Sequence, residues 1–570
     1  MKKTAMLLAL FLTTIAWASD PVKDREKEYF KAPDHWELTL GDQKDYIEAR
    51  VDRYCQARKI KPDSLEYVCG TANSLTKIFK DKYWFKGEIG DEVVMDMARN
   101  ERESVQVAVI PLKDKLLRGV TLTVGELKNG QGVKLPSGAI QVFNVEYVET
   151  TKACYPVAHV GWWPDPLLPA KAVDIPAAET RAFWLEARTG KDIPAGRYEG
   201  KITVAATGLS SVVLSLTINV WDITLPSEQV AQTCTWLNAG KCGVKHGKDR
   251  EKEMYRVYAE YFLDHKINPL ELGKQYCTTN DYSAVTENLK WGFEHGLARF
   301  EIPRLKGADL KKYCEHLRRQ GWFDKAMIYG YKDEPHPRDY EAFRKDSEAI
   351  RQVEPKLKIF MAESPVAGLD GAVDVWWSSM PADQPEEIRR QLRAGREVWW
   401  YRCGIPVRLE YARPFYEYPS DVLLDRPAID MRVFYLMMWK FRMTPATFFY
   451  CGMQWPSGFE KWPQQPWQTS VTLWNGDGYV VYPGENGPMP SIRLECMVDG
   501  IEDYEYLSLL RQAVDKASNA AAADVEAARK LLEVPVELVV STHYYNKDPK
   551  VLLEFRRKVA GMIVKLSRGG

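Results

Sequence analysis

From Trp84 to about Pro226 the chain alternates apolar and polar residues with a period of two. Val105-Gln106-Val107-Ala108-Val109, Val120-Thr121-Leu122-Thr123-Val124, Ile202-Thr203-Val204-Ala205 and Val212-Val213-Leu214-Ser215-Leu216-Thr217 each fit a pleated strand. Lys128-Asn129-Gly130 and Pro194-Ala195-Gly196 are turn signals between such runs. This pattern predicts an antiparallel β-sandwich over 84–226. Inside it, the proline-rich Gly161-Trp162-Trp163-Pro164-Asp165-Pro166-Leu167-Leu168-Pro169 reads as a loop. Its tryptophans are either filler at a domain interface or contacts to a ligand bound next door.

After Pro226 the period becomes mixed. Strand signals begin near Thr233, Ile267, Ala298, Ala326, Lys358, Val373, Glu397 and Thr447, with helical stretches such as Asp249 to Asp264, Ala308 to Arg319 and Pro427 to Arg442 between them. Strands alternating with helices predict a (β/α)8 TIM-type barrel over 227–510. Pro365 to Ala372 is too short for a crossover helix, so irregularity is expected there. Residues 19–83 read as a helical N-terminal extension, with Tyr54, Cys55, Tyr67 and Val68 as its apolar minority. A hairpin-like piece follows Gly476, and 511–570 reads as a closing helical segment. The expected fold class is multidomain: an all-β sandwich, an α/β barrel and terminal helices.

One stretch of the barrel concentrates chemistry. Ile328-Tyr329-Gly330-Tyr331-Lys332-Asp333-Glu334-Pro335-His336-Pro337 runs from an apolar strand into two carboxylates and then Pro-x-Pro. Proline ends the strand, and Arg338 to Val353 continues as an amphipathic helix. Asp333 and Glu334 are therefore expected at the C-terminal mouth of the fourth strand, where barrel enzymes hold their catalytic groups. Adjacent strand residues point to opposite faces. Both carboxylates serve one site only if the chain is already turning at Glu334, which Pro335 favours. The plainer reading, an acidic pair that starts a helix, is outweighed by the barrel context.

Composition narrows the classes. The 570 residues carry 78 basic and 78 acidic side chains, with no field to gather nucleic acid or an acidic membrane. Lys2-Lys3, the apolar run Ala5 to Ile15 and Ala16-Trp17-Ala18 make a secretory signal peptide cleaved after about Ala18. Export to the periplasm or outside the cell follows, without membrane insertion. Ten cysteines in this length do not form a disulfide framework, although Cys55 with Cys69, or Cys234 with Cys242, are possible pairs. No metal or cofactor motif is present: Cys242 and His246 have no second ligand pair. Nucleophile-elbow, zinc-protease and phosphate-loop motifs are absent.

Aromatic residues crowd the expected strand ends, at Trp376-Trp377, Trp399-Trp400-Tyr401, Phe448-Phe449-Tyr450, Trp455, Trp462, Trp467 and Trp474. Core packing accounts for part of them; the excess suits sugar rings, which lie flat on aromatic faces. Tyr331, Glu363, Trp376, Trp400, Tyr401, Trp474 and Tyr482 are the candidate substrate contacts. Glu363, ending the fifth strand, is equally a salt-bridge partner, and His336 reads as exposed loop. Export, an aromatic cleft and paired carboxylates point to cleavage of a glycan.

Tyr331-Lys332-Asp333-Glu334-Pro335 resembles the catalytic motif of glycoside hydrolase family 123 and its relatives grouped as domain of unknown function 4091. Asn100-Glu101-Arg102-Glu103-Ser104, Trp163-Pro164-Asp165-Pro166-Leu167 and Pro490-Ser491-Ile492-Arg493-Leu494-Glu495 with Asp499-Gly500-Ile501-Glu502-Asp503-Tyr504-Glu505-Tyr506 are similar to that family in the same order. The resemblance covers about residues 84 to 510. It implies a sandwich joined to a (β/α)8 barrel and an exo-acting, substrate-assisted β-N-acetylgalactosaminidase. Glu334 would be its general acid and Asp333 the residue orienting the 2-acetamido group. Two alternatives stay open: a non-catalytic carbohydrate-binding protein, and a hydrolase with an ordinary carboxylate nucleophile, for which Glu363 is the nominee.

Overall fold

The computed structural model describes residues 40–153, 157, 159–231, 233–278, 281–378, 385–402, 422–448, 453–462, 474–518, 520–542 and 544–569. The expected signal peptide at 1–18 lies outside them, as do Phe449, Tyr450 and Trp467.

A helix, α1 (Leu40–Arg58), precedes twelve strands. These are β1 (Tyr67–Asn73), β2 (Glu88–Ile89), β3 (Glu92–Arg99), β4 (Arg102–Pro111), β5 (Leu117–Val124), β6 (Lys128–Asn129), β7 (Ile140–Glu149), β8 (Trp162–Pro169), β9 (Val173–Ile175), β10 (Arg181–Arg188), β11 (Gly196–Ala205) and β12 (Val212–Thr224). One sheet runs β2-β1-β4-β10-β7-β8; the other runs β3-β12-β11-β5-β9, with β6 on β11. Pairing is antiparallel except between β3 and β12, which are parallel.

Two expectations are corrected here. The segment read as a helical extension, 19–83, contains β1: Tyr67 faces the sandwich interior and Val68 the opposite core, an alternation hidden by the charged residues around it. The proline-rich stretch read as a loop is β8. It lies at the edge of its sheet, where proline removes no ladder donor that the fold needs. The N–H of Leu167 donates to the Pro490 carbonyl across that edge, 3.0 Å.

β4 is buried at all positions. Val105, Val107 and Val109 face the second sheet, while Ala108 and Ile110 face a larger core shared with helices downstream. Burial on both faces explains the uninterrupted apolar run from Val107 to Ile110 within it.

The second half alternates as predicted: β13 (Thr233–Thr235), α2 (Ala239–His246), α3 (Glu251–Asp264), β14 (Ile267–Pro269), α4 (Ser283–Glu294), β15 (Phe300–Ile302), α5 (Gly307–Arg319), β16 (Ala326–Tyr329), α6 (Tyr340–Val353), β17 (Lys358–Ala362), β18 (Val375–Ser378), α7 (Pro385–Arg393), β19 (Glu397–Arg402), α8 (Ile429–Lys440) and β20 (Thr444–Phe448). Only a 3-10 turn, Ala367–Leu369, separates β17 from β18, the irregularity that the short spacing implied. All eight strands are parallel, in the order β14-β13-β20-β19-β18-β17-β16-β15. That is the neighbour order of an eight-stranded ring, but among the described residues no backbone pairing joins β14 to β15. A side chain bridges that seam: Asn268 Oδ1 accepts from the Ala298 N–H at 2.6 Å.

Beyond the sheet, β21 (Tyr482–Pro483) and β22 (Pro488–Met489) form a small hairpin. Then come α9 (Ile492–Lys516), α10 (Ala522–Leu532) and α11 (Pro549–Gly569). α9 is one helix from Ile492, capped by the Ser491 hydroxyl, so helix begins well before the closing segment expected over 511–570. It packs on α8 and α11 and reaches β4 and β8. Cys55, Cys69, Cys234 and Cys242 are free thiols, which removes both possible disulfides.

Charges are buried where these parts meet. Arg432 of α8 reaches Asp499 at 2.8 Å and Asp503 at 2.7 Å, both on α9. Arg556 of α11 pairs with Glu103 of β4 at 2.9 Å and also with Glu101. Tyr506 donates to Glu101 at 2.6 Å. Lys266 meets Glu505 at 2.6 Å and Glu502 at 3.1 Å. Nearby, Asp165 of β8 holds Arg493 at 2.9 Å and the Tyr482 hydroxyl at 2.7 Å.

Acid outnumbers base in this joint, and burial pushes the Glu505 carboxyl up to about 7, with Glu502 raised likewise. A carboxyl raised in the fold favours the protonated state there. Its stabilising contribution is complete below the ordinary glutamate value and is lost as pH rises through the folded value. The melting temperature should therefore fall as pH goes from about 5 to about 8. Glu505→Gln should flatten that slope. An unchanged slope in the variant would remove Glu505 as its source.

Candidate active site

Period-two geometry sorts the strand residues into two sets. Met327, Tyr329, Phe360, Ala362, Val375, Trp377, Trp399 and Tyr401 form one cluster with Trp236, which follows β13. Ile328, Ile359 and Trp400 pack the other way, towards the helices, and Met361, Trp376 and Val398 meet Phe343, Leu369 and Ile388. The first cluster therefore lines the inner side of the sheet. Trp377 stacks on Trp399 with centroids 5.4 Å apart and lies 4.7 Å from Trp236.

β16 ends at Tyr329, so Asp333 and Glu334 stand on the turn beyond the strand rather than on it. The turn is closely held. Gly330 N–H donates to the Phe360 carbonyl at 2.8 Å, and Arg304 holds the Tyr329 carbonyl at 2.5 Å. A Cβ on Gly330 would clash with the Phe343 ring of α6, so glycine lets that helix close under the strand end. Asp339 accepts from Lys332 at 2.9 Å and from the His336 N–H at 3.1 Å, which fixes the far end. Between these anchors Glu334 has φ +41°, a left-handed conformation for a residue followed by proline. The chain does turn at Glu334, and it is strained there.

Asp333 accepts a hydrogen bond from the Tyr329 phenol at 2.5 Å. The Glu334 side chain reaches solvent, yet partial burial and then the charge of Asp333 raise its carboxyl above the usual glutamate value. Glu363, just past β17, is raised first by burial and also by the charges of Glu334 and Asp333, while the Ser364 N–H on its carboxylate opposes this.

Other groups at these strand ends were missed in the sequence. Glu301, midway along β15, accepts from the Trp236 indole at 3.0 Å and from Lys274 at 2.7 Å. Burial pushes Glu271, which accepts the Leu237 N–H at 2.6 Å, up to about 7, with Lys274 opposing and Glu301 adding. Phe300-Glu301-Ile302 carried a signal: a charge between two outward apolar residues must face inward. Among the described residues no cluster of ligands suits a metal ion. A cavity of about 870 Å³ opens elsewhere, beside Leu168, Tyr261, His295 and Met489, and none of these carboxylates lines it.

The family model of the glycoside hydrolase 123 catalytic domain matches residues 303–510, and that of the glycoside hydrolase 123 N-terminal domain matches residues 90–206. The chain belongs to glycoside hydrolase family 123. A family 123 glycoside hydrolase from Clostridium perfringens, solved in work on glycolipid glycan hydrolysis, is similar in fold. It shares 13% identity at a TM-score of 0.65, covering 88% of this chain and 99% of that one. A family 39 glycoside hydrolase from Bacteroides cellulosilyticus (11% identity, TM-score 0.29, 68% of this chain and 82% of that one) and a GH5 xyloglucanase from Bacteroides ovatus (8%, 0.26, 72% and 98%) are too distant to carry argument. No curated protein matches.

The family 123 catalytic match contains Tyr329, Asp333, Glu334 and Glu363. Of the aromatics expected to touch sugar, Tyr401 faces the inner cluster. Three do not fit the expectation. Trp376 is fully buried on the helix side, its indole donating to Gln391 at 3.3 Å. Trp400 is buried against Phe434 of α8, 4.7 Å between centroids. Tyr482 is buried at the sandwich joint, on Asp165. The aromatic pairs were read one residue out of register: Trp377 and Trp399 are the inward members. Trp474 packs beside Leu423, apart from the inner cluster, and Tyr331 is 46% exposed on the turn.

Two outcomes test this placement. Glu334→Gly should abolish turnover while holding or raising the melting temperature, because relief of about 1–2 kcal/mol of left-handed strain exceeds the entropy that glycine adds to the unfolded chain. A clear fall in melting temperature would show that the turn is unstrained. Trp400→Ala should cost about 3–5 kcal/mol of stability as a core deletion. An unfolding midpoint equal to wild type would return Trp400 to the cleft.

Proposed function

We propose that this family 123 protein is an exported, retaining exo-hydrolase of β-linked N-acetylhexosamine, with N-acetylgalactosamine as the preferred sugar. The parallel sheet is taken as the (β/α)8 barrel of that enzyme. One observation carries the reading: two adjacent carboxylates on a strained turn, one held by Tyr329 and the other raised towards its acid form. The Clostridium perfringens relative, studied for glycolipid glycan hydrolysis, supports a glycoconjugate as substrate.

Side chains adjacent in sequence do not flank a sugar from opposite faces. If Glu334 lies beside the leaving oxygen, Asp333 is not below the anomeric carbon. The substrate then supplies the nucleophile. Glu334 donates its proton to the glycosidic oxygen, the acetamido oxygen bonds to C1, and the C1–O bond breaks to release the alcohol. Asp333 accepts the acetamido N–H and stabilises the positive charge of the oxazolinium ring. Water next attacks C1, Glu334 takes the water proton, and the ring opens with retained configuration.

The rival nucleophile is Glu363, whose carboxyl is raised by burial and by the charges of Glu334 and Asp333 against the lowering effect of the Ser364 N–H, a direction that makes the attacking carboxylate harder to form.

Glu334→Gln should lose about 10²–10⁴-fold on substrates with poor leaving groups and less on activated aryl glycosides. Equal loss on both would remove the acid role. The alkaline limb of kcat/KM should lie above the ordinary glutamate value and vanish in that variant. A thiazoline analogue should inhibit strongly, and plain β-hexosides should not be cleaved. A covalent sugar trapped on Glu363 would overturn the proposal in favour of a carboxylate nucleophile.

A further inference from the structure

We infer that Tyr329 is the positioning residue of this site, fixing which oxygen of Asp333 meets the substrate; the inference rests on the substrate-assisted reading. The phenol has two contacts. It accepts from the Ala362 N–H of β17 at 3.3 Å and donates to Asp333 Oδ1 at 2.5 Å. With both engaged, the hydroxyl proton has one direction, towards Asp333.

The ring itself is held. It meets Phe360 edge to face at 5.0 Å, and Trp236 at 5.9 Å. Trp236 is in turn tied by its indole N–H to Glu301. Asp333 by contrast is exposed, on a turn with no regular structure. Among the described residues its carboxylate has no other hydrogen bond or ion pair, and neighbouring Lys332 is held by Asp339. A lone carboxylate on such a turn samples several rotamers. One donor from the rigid inner cluster selects among them. Oδ1 is then occupied, and Oδ2 is left for the acetamido N–H.

Tyr329 acts through Asp333 and makes no contact with the sugar. Its removal should leave substrate affinity alone and lower the rate at which the acetamido oxygen reaches C1. Small misplacement of a reacting group costs up to about 10²-fold.

The test is Tyr329→Phe, which removes one oxygen and keeps the ring packing. On an aryl 2-acetamido-β-glycoside, kcat should fall about 10²-fold with KM little changed. The thiazoline analogue should lose affinity by a similar factor, while the alkaline limb belonging to Glu334 stays in place. Adding Tyr329→Phe to Asp333→Asn should cost nothing further, because the phenol acts only through that carboxylate. Tyr329→His, which keeps a donor, should recover part of the rate and serves alone if the phenylalanine variant does not fold. Unchanged kcat and thiazoline affinity in Tyr329→Phe, or a further loss in the double variant, overturns the inference. Wild-type protein that neither cleaves acetamido sugars nor binds the thiazoline would overturn the substrate-assisted reading itself.

Discussion

Arg432 on α8 and Arg556 on α11 bring full charges to a place almost without solvent, where the sandwich meets the helices of the parallel-sheet domain. Desolvating such charges is expensive, and a buried pair does not necessarily gain over an apolar replacement. Removing one partner is another matter, because the uncompensated charge left behind costs several kcal/mol. The network therefore acts less as adhesive than as a lock. Glu101 and Glu103 of the sandwich find their counter-charges only if α8, α9 and α11 are docked in one arrangement. Asp165 on β8 repeats the device with Arg493 and Tyr482.

From that lock the strand mouth inherits its rigidity. α8 is clamped to α9, and its Phe434 supports Trp400 on the outer side of β19. The next residue inward, Trp399, stacks on Trp377, which meets Trp236 and Phe360. Trp236 and Phe360 bracket Tyr329, and Tyr329 holds Asp333. Each strand residue thus serves either the frame or the site, never both, because side chains alternate across the sheet. A left-handed Glu334 before proline persists only because such surroundings over-determine it.

This division explains what was legible in the sequence. Long periodic stretches such as Arg338–Val353 and the alternating strands of the second half needed only hydrophobic pattern to be placed. Asp333 and Glu334 stood out because the pair falls at a strand end of the expected barrel; an acidic pair before proline is by itself an ordinary way to start a helix. The choice between Trp376 and Trp377, or Trp399 and Trp400, was not legible. Both members of each pair are large and aromatic, so the pattern does not say which faces inward, and a slip of one residue exchanges the faces. Tyr482 was misjudged for a related reason: its partner Asp165 lies 317 residues away. β1 and β8 were hidden because charge or proline overrode a local pattern that long-range pairing restores. The motifs around Glu101 and Asp503, quoted for family resemblance, belong to the joint between domains and not to the chemistry.

The charge balance near the turn carries one further consequence. Glu271, Asp333, Glu334 and Glu363 follow the ends of β14, β16 and β17, Glu301 sits within β15 between them, and Lys274 is already shared by Glu271 and Glu301. Arg304 is committed to Asp346 and to the Tyr329 carbonyl, and Lys332 to Asp339. An excess of carboxylates has two effects with one origin. Through the charge of Asp333 it adds to the burial that raises the Glu334 carboxyl, in line with the general-acid role proposed for Glu334. It also lowers the energy of a developing positive charge at C1 relative to the neutral ground state. Both effects fit the proposed substrate, a neutral sugar that becomes cationic in the transition state. The same field opposes a glycan bearing sulfate or carboxylate at the reacting residue, since ground and transition states alike would bring negative charge among these acids.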